Sequence, residues 1–211
     1  KPITRKEMGL PEDGFVFCCF NANYKISPRE FDIWMRLLHK VEGSVLWLSQ
    51  PNQWAKSNLQ KEAKLRGIDP SRLVFAGNVS REDHLARHKL ADLFLDTFSF
   101  NANSTATDAL WGGLPLITKV GEQFSARVAA SLLNAIGLPE LIVETDEEYE
   151  ALAFELATNK SLLTSIKEKL LNNRTKTPLF DTKTYTQNLE KAFEDAYYLY
   201  QNGDPPKDLL L

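Results

Sequence analysis

The stretch FNANSTATDALWGG at 100 to 113 follows an apolar run, LFLDT at 93 to 97, and sets Asn101, Asn103, Ser104 and Thr105 where a helix would begin. The first four N–H groups of a helix have no partner inside it, and the aligned peptide dipoles add roughly +0.5 charge there. An anion, phosphate above all, is the usual guest of such a junction. The small polar residues can cap the helix or donate to that anion. Asp108, one turn in, offers a carboxylate that could accept from a sugar diol. The bland alternative is a capped helix whose WGGLP ending, Trp111 to Pro115, simply turns into the next strand.

Two other groups could share that chemistry. Lys25 closes the loop FNANYK at the end of an apolar run, where a compact positive charge would suit a diphosphate that gains negative charge as it leaves; it could equally be a solvated loop lysine. In REDHLARH, Ser80 is a reasonable N-cap, and Asp83 completes an acidic variant of the capping box. Arg81, His84 and Arg87 fall at one-turn spacing, so an imidazole and two cations could stack on a base and hold ribose or phosphate. An exposed helix start with Glu82 and Asp83 neutralising the arginines is the competing reading. His39 and His88 have no comparable setting and are expected at the surface, and Trp34, Trp47, Trp54 and Trp111 are assigned to packing.

Other chemistries lose their main support. The chain has no GxxxxGK[ST] loop, no GxGxxG fingerprint and no GxSxG elbow, and its Cys and His are too scattered for a zinc site.

The elements that would position these residues alternate regularly. Runs at 15–20, 44–49, 72–76, 93–97, 115–118 and, more weakly, 141–143 read as strands. Helical patterns fill about 28–41, 53–66, 81–91, 104–112 and 123–136. Near-continuous apolar strands joined by helices indicate an α/β fold with a doubly wound parallel sheet, Rossmann-like, covered on both faces. Ligands of such sheets bind beyond the carboxyl ends of the strands, so the loops after Phe20, Ala76 and Thr97 should converge on one crevice. From Asp146 the pattern is helical, with acids at the first start, Thr182 as the expected cap of the last helix and Pro178 breaking the chain before it. The expected organisation is a Rossmann-like nucleotide-binding domain at 1–145, helices at 146–203 packing on it, and a frayed tail at 204–211.

Composition is that of an ordinary globular chain: 211 residues, 43% hydrophobic and 25% charged. A net charge of −3 and a pI of about 5.7 give no support to a nucleic-acid partner, so any phosphate site must be local. Cys18 and Cys19 are adjacent on an apolar run, point to opposite faces, and read as buried free thiols of a reducing compartment. No run approaches a membrane span and no signal-peptide pattern opens the chain, so the expected setting is the cytoplasm, without a membrane partner.

In order, FNANYKI, SVLWLS, REDHLARHKLADLFLDTFSFNANSTATDALWGGLPLIT, GEQFSARVAASLL and TPLFDTKTYTQNLEKAF resemble the carboxyl-terminal half of the catalytic region of protein O-linked N-acetylglucosamine transferases, glycosyltransferase family 41. The resemblance runs from about Leu10 to Gly203. It implies one half of a GT-B glycosyltransferase, in which two Rossmann-like domains face each other, tetratricopeptide repeats usually lie upstream, and the second domain holds most of the UDP. By the same resemblance, Lys25 contacts the diphosphate and supports departure of the leaving group. Asn103, Ser104 and Thr105 meet the phosphates and Asp108 holds ribose. His84 packs on the nucleoside, Arg81 and Arg87 lie beside ribose and uracil, and the backbone of Val79 faces the base.

Two positions depart from the family pattern: Ala22 stands where it often has glutamine, and Asn103 where it often has histidine. The resemblance implies an inverting, metal-independent transfer of N-acetylglucosamine from UDP-GlcNAc to Ser or Thr hydroxyls of a protein or peptide acceptor, with no resident cofactor. A fragment without the other catalytic half is expected to be inactive alone. A related transferase using another sugar or an asparagine acceptor, and a non-catalytic nucleotide-binding or scaffolding module, remain as alternatives.

Overall fold

Strands that carry apolar side chains on both faces need cover on both faces, and the chain provides it. The computed structural model describes residues 3–50 and 52–209. Its strands are β1 (Val16–Cys19), β2 (Val45–Ser49), β3 (Leu73–Ala76), β4 (Leu93–Leu95), β5 (Leu116–Lys119) and β6 (Ile142–Val143). All pair in parallel in the order β3-β2-β1-β4-β5-β6, the doubly wound arrangement expected from the sequence. Register sets Cys18 beside Trp47 on one side and Phe94 on the other, and every residue of β1 and β4 is buried. Both cysteines are free and buried, and burial pushes their thiols well above the ordinary range.

The helices are α1 (Pro28–Lys40), α2 (Gln53–Leu65), α3 (Arg81–Arg87), α4 (Ser104–Gly112), α5 (Val128–Ala135), α6 (Asp146–Thr158), α7 (Lys160–Asn173) and α8 (Thr182–Gln201). α1 packs against α6 on one side of the sheet, while α3, α4 and α5 pack in succession on the other. Ser27 and Glu30 form a full capping box at the start of α1, and Phe31, Trp34, Met35 and Leu38 recur at helical spacing on its buried face. One apolar cluster runs from Leu10 through α6 (Tyr149, Ala153, Leu156) to α7 (Leu163, Ile166, Leu170). The helices from 146 to 173 therefore share the core of the sheet. α8 buries none of its residues.

Three boundaries differ from expectation. The helix expected to 91 ends at Arg87 and tightens into a 3-10 turn, His88–Leu90, so that Ala91 can enter the strand approach extended. The helix expected from 123 begins at Val128. The residues before it form a 3-10 turn, Phe124–Ala126, because the Ser125 carbonyl accepts from the Asn101 amide and the Ala126 carbonyl from Gly121. The cap of α8 is Asp181, not Thr182: its carboxylate accepts from the amides of Lys183 and Thr184 and from the Thr184 hydroxyl. Beyond Gly203, Asp204 to Leu209 carry no regular structure, and the last two residues of the expected tail, 210 and 211, lie outside the described residues. Among the described residues no helix is long and apolar enough to cross a membrane.

Candidate functional site

The loops after β1, β3 and β4 do converge, and buried polar side chains tie them together. From the end of β1, Asn21 donates through Nδ2 to Thr97 Oγ1 at 2.8 Å and to Asp96 Oδ1 at 3.2 Å, and its Oδ1 accepts from the Thr105 hydroxyl at 2.7 Å. Asn101 donates through Nδ2 to the Thr97 carbonyl at 2.8 Å, Thr97 donates to the Phe100 carbonyl at 2.6 Å, and the Ser125 hydroxyl holds the Ser99 carbonyl at 3.0 Å. The polar run that reads as an open loop is thereby pinned residue by residue. Asn21, Asp96, Thr97 and Asn101 are all buried.

This loop delivers α4 with its amino terminus uncapped. Asn103 occupies the N-cap position, exposed, and makes no side-chain capping bond, whereas Asn52, Ser80, Thr145, Asn159 and Asp181 all cap their helices. The first-turn amides are left for an external acceptor. At the other end Gly113 takes the left-handed conformation, φ 82°, that ends the helix and turns the chain into β5.

Lys25 comes from the 3-10 turn Asn23–Lys25 that follows β1. Its Nζ donates to the Asn101 carbonyl at 3.1 Å and lies 4.1 Å from the centre of the Phe100 ring. The ammonium is therefore held at the loop that opens α4. Burial lowers its pKa below the ordinary lysine value, and the Asp96 carboxylate opposes that shift.

α3 brings the imidazole. His84 is half-buried, its Nε2 lying 3.8 Å from Asp108 Oδ2 and its Nδ1 2.6 Å from an Arg87 guanidinium nitrogen. Arginine can only donate, so Nδ1 accepts and the ring proton sits on Nε2, facing Asp108. Burial first and the Arg87 charge second hold His84 below the ordinary histidine range, which keeps it neutral. Arg87 is itself buried, 4.6 Å over the Phe20 ring, and donates to the Gly77 carbonyl at 2.8 Å. It stands behind His84 and joins the β3 loop to α3. Arg81 and Val79 are exposed on the rim of the same loop. Ser80 caps α3 by accepting from the Asp83 amide, and the Glu82 carboxylate is held below its usual range by its own backbone N–H first and by the Ser80 hydroxyl second.

His88, expected at the surface, is fully buried. Its ring packs edge-on to Phe20 and His84, its Nδ1 meets the His84 carbonyl at 2.8 Å, and burial drives its pKa down to about 4. The cause is the close approach of α4: a Cβ on Gly112 would lie 2.7 Å from that of His88. His39 is exposed, as expected, and pairs with the Arg66 carbonyl.

The structure thus groups Lys25, Ser104 and Thr105 at one end of α4, and His84 and Asp108 one turn along it. Asn21, Asp96, Thr118 and Tyr149 escaped the sequence reading. Asp96 did leave a signal, a carboxylate at the end of an apolar strand. Among the described residues no three His, Cys, Asp or Glu side chains are grouped to hold a metal ion.

Comparison with known proteins bears on this arrangement. Residues 2–189 match glycosyl transferase family 41. The chain is 38% identical over 202 residues to a UDP-N-acetylglucosamine–peptide N-acetylglucosaminyltransferase of Caenorhabditis elegans, a match covering 96% of this chain and 18% of the relative. It is also 38% identical over 204 residues to the probable UDP-N-acetylglucosamine–peptide N-acetylglucosaminyltransferase SEC of Arabidopsis thaliana, covering 96% and 21%. The chain thus spans about a fifth of either relative. An O-GlcNAc transferase mutant of Thermobaculum terrenum superposes with a TM-score of 0.80 at 30% identity, over 87% of this chain and 38% of that one. By family match, identity and fold together, the chain belongs to glycosyl transferase family 41.

Proposed function

We propose that the crevice holds the UDP moiety of UDP-GlcNAc, and that the chain is the nucleotide-binding half of an inverting GT-B transferase that moves N-acetylglucosamine to Ser or Thr hydroxyls of proteins. One observation carries the reading: the Lys25 ammonium and the uncapped first turn of α4 meet at one loop, with a neutral imidazole and a carboxylate one turn away. A diphosphate, a base and a ribose need those groups in that order.

In this reading the phosphates sit on the first-turn amides and the exposed Ser104 hydroxyl. Thr105 has its hydroxyl proton on Asn21 and offers its backbone N–H. Asn103, free of capping duty, lies beside them on the crevice side. A ribose hydroxyl donates to Asp108, the base packs toward His84 with the Val79 backbone at its edge, and Arg81 lies alongside at the rim. Arg87 serves through His84. The acceptor hydroxyl oxygen attacks the anomeric carbon as the bond from that carbon to the UDP oxygen breaks. The acceptor's proton passes to water, and the charge that collects on UDP is met by Lys25 and the helix terminus. The counter-charge comes from the chain itself, so the reading assigns no role to a metal. The facing catalytic half and upstream repeats would supply the acceptor site, and the free buried thiols suit a reducing, cytoplasmic setting.

Ala22 is exposed and contributes no side-chain donor beside Lys25, which keeps a second reading open: a related transferase with a different donor preference. Calorimetric titration of the full-length protein with UDP, UDP-GlcNAc and UDP-glucose separates the two. UDP-GlcNAc binding more tightly than UDP-glucose supports the first, the reverse order supports the second, and no heat with UDP at millimolar concentration overturns both.

A further inference from the structure

We propose that Asp96 is a positioning residue for the donor site, acting on Lys25 through the Asn101–Ala102 peptide group and on Thr105 through Asn21. The inference rests on the reading of Lys25 and α4 as the diphosphate site.

Asp96 is wholly buried and, among the described residues, has no ion-pair partner. A lone carboxylate in such a place is expensive unless hydrogen bonds satisfy it. Four donors do. Oδ1 accepts from the Ala102 amide at 2.6 Å, the Thr97 amide at 2.8 Å and Asn21 Nδ2 at 3.2 Å, and Oδ2 accepts from the Thr118 hydroxyl at 2.7 Å. A fifth contact, Tyr149 to the Asp96 carbonyl at 3.0 Å, fixes its backbone from α6.

Two of the donors lead directly to the site. The Ala102 N–H belongs to the same planar peptide group as the Asn101 carbonyl, and that carbonyl accepts from Lys25 Nζ. One amide therefore lies between the ammonium and the carboxylate, polarised from both ends, and each bond strengthens the other. The Asn21 amide makes a second bridge, nitrogen toward Asp96 and oxygen toward the Thr105 hydroxyl. A single buried charge thus orients both the cation and the start of the helix.

Geometry also makes its removal clean. In Asp96→Asn the carbonyl oxygen can face the three N–H donors, while the new NH2 faces Thr118, whose hydroxyl can turn round and accept. Shape and bonds survive and only the charge goes. Asp96 supports the protonated form of Lys25 against burial, with Cys19 on β1 acting in the same sense. Glu30 on α1, Tyr149 on α6 and Cys18 on β1 are further ionisable groups coupled to Asp96 or Cys19, and none of them is a cation. Without Asp96, Lys25 gives up its proton at lower pH.

The test is the pH profile of turnover by the full-length protein with Asp96→Asn, alone and combined with Lys25→Arg, which stays charged at every pH used. The alkaline limb should move to lower pH in Asp96→Asn, with turnover about tenfold lower at pH 9 and under about threefold lower at pH 6.5. The move should vanish in the Lys25→Arg background. A purely structural Asp96 would lower turnover equally at all pH values, and that result overturns the proposal. Should Asp96→Asn fail to fold, the 13Cε resonance of Lys25 in the unaltered protein decides: a second inflection near pH 7, where burial places the Asp96 ionisation, supports the coupling, and its absence overturns it. If the unaltered protein binds no UDP, the donor-site reading falls and takes this one with it. If it binds UDP and transfers sugar while Asp96→Asn keeps the original alkaline limb, only the role of Asp96 falls.

Discussion

His84 presents its Nε2–H to Asp108 because its other ring nitrogen, 2.6 Å from Arg87, is held as an acceptor. Two groups on different helices, α3 and α4, are thereby aimed at one place by a third that is itself out of reach, spread on the Phe20 ring.

Arg87→Lys should break that arrangement without removing the charge. A lysine has neither the planar fork that reaches Gly77 and His84 together nor the flat face that covers Phe20. The 15N spectrum of the His84 ring should change from a single Nε2–H tautomer to a mixture, and UDP affinity should fall about tenfold. An unchanged spectrum would show that Arg87 does not set the tautomer.

Lys25→Met is the sharpest test of the leaving-group role. Lys25 is only half-buried and, among the described residues, the one hydrogen bond of its side chain is to a carbonyl, so the fold should stand. Turnover of the full-length protein should drop by about 10²–10³, the cost of losing one preorganised charge donor, while the UDP dissociation constant changes far less. Equal losses in both would mean that the ammonium serves ground-state binding only.

His88 carries a pH dependence of stability. Its folded pKa, about 4, lies below the ordinary 6.5, so between these values the unfolded chain takes up a proton that the native state refuses. Stability is full above pH 6.5, falls as pH drops through that window, and levels off near pH 4, with a limit of about 3 kcal/mol. His88→Gln should be less stable at pH 7, through lost ring contacts with Phe20 and His84, and should close the gap by pH 4.5. Urea unfolding of both proteins across that range checks it. Asp96, whose raised pKa acts in the opposite direction, is common to the pair and cancels in the difference.

The parallel sheet and its crevice were readable because buried strands are apolar at every position, and FVFCCF, SVLWLS and LFLDT admit few other roles. Lys25, His84 and Asp108 were readable because they sit at strand ends and helix starts, where position alone suggests use. What escaped depends on contacts between distant segments. His88 looks like any helix-end histidine until Gly112 is seen to admit α4 against it, 24 residues on. Thr182 and Asp181 are both good caps in isolation, and the turn Pro178–Phe180 decides for Asp181. Asp96 and Asn21 are 75 residues apart, and nothing local says that one would hold the other.

Gly112 has a mechanical consequence as well. With His88 against its last turn and Asn21 bonded to Thr105 in its first, α4 is clamped at both ends like a strut between two stops. An anion bound at its amino terminus would meet a helix already held at both ends, so less of the attraction would go into moving the helix along its axis.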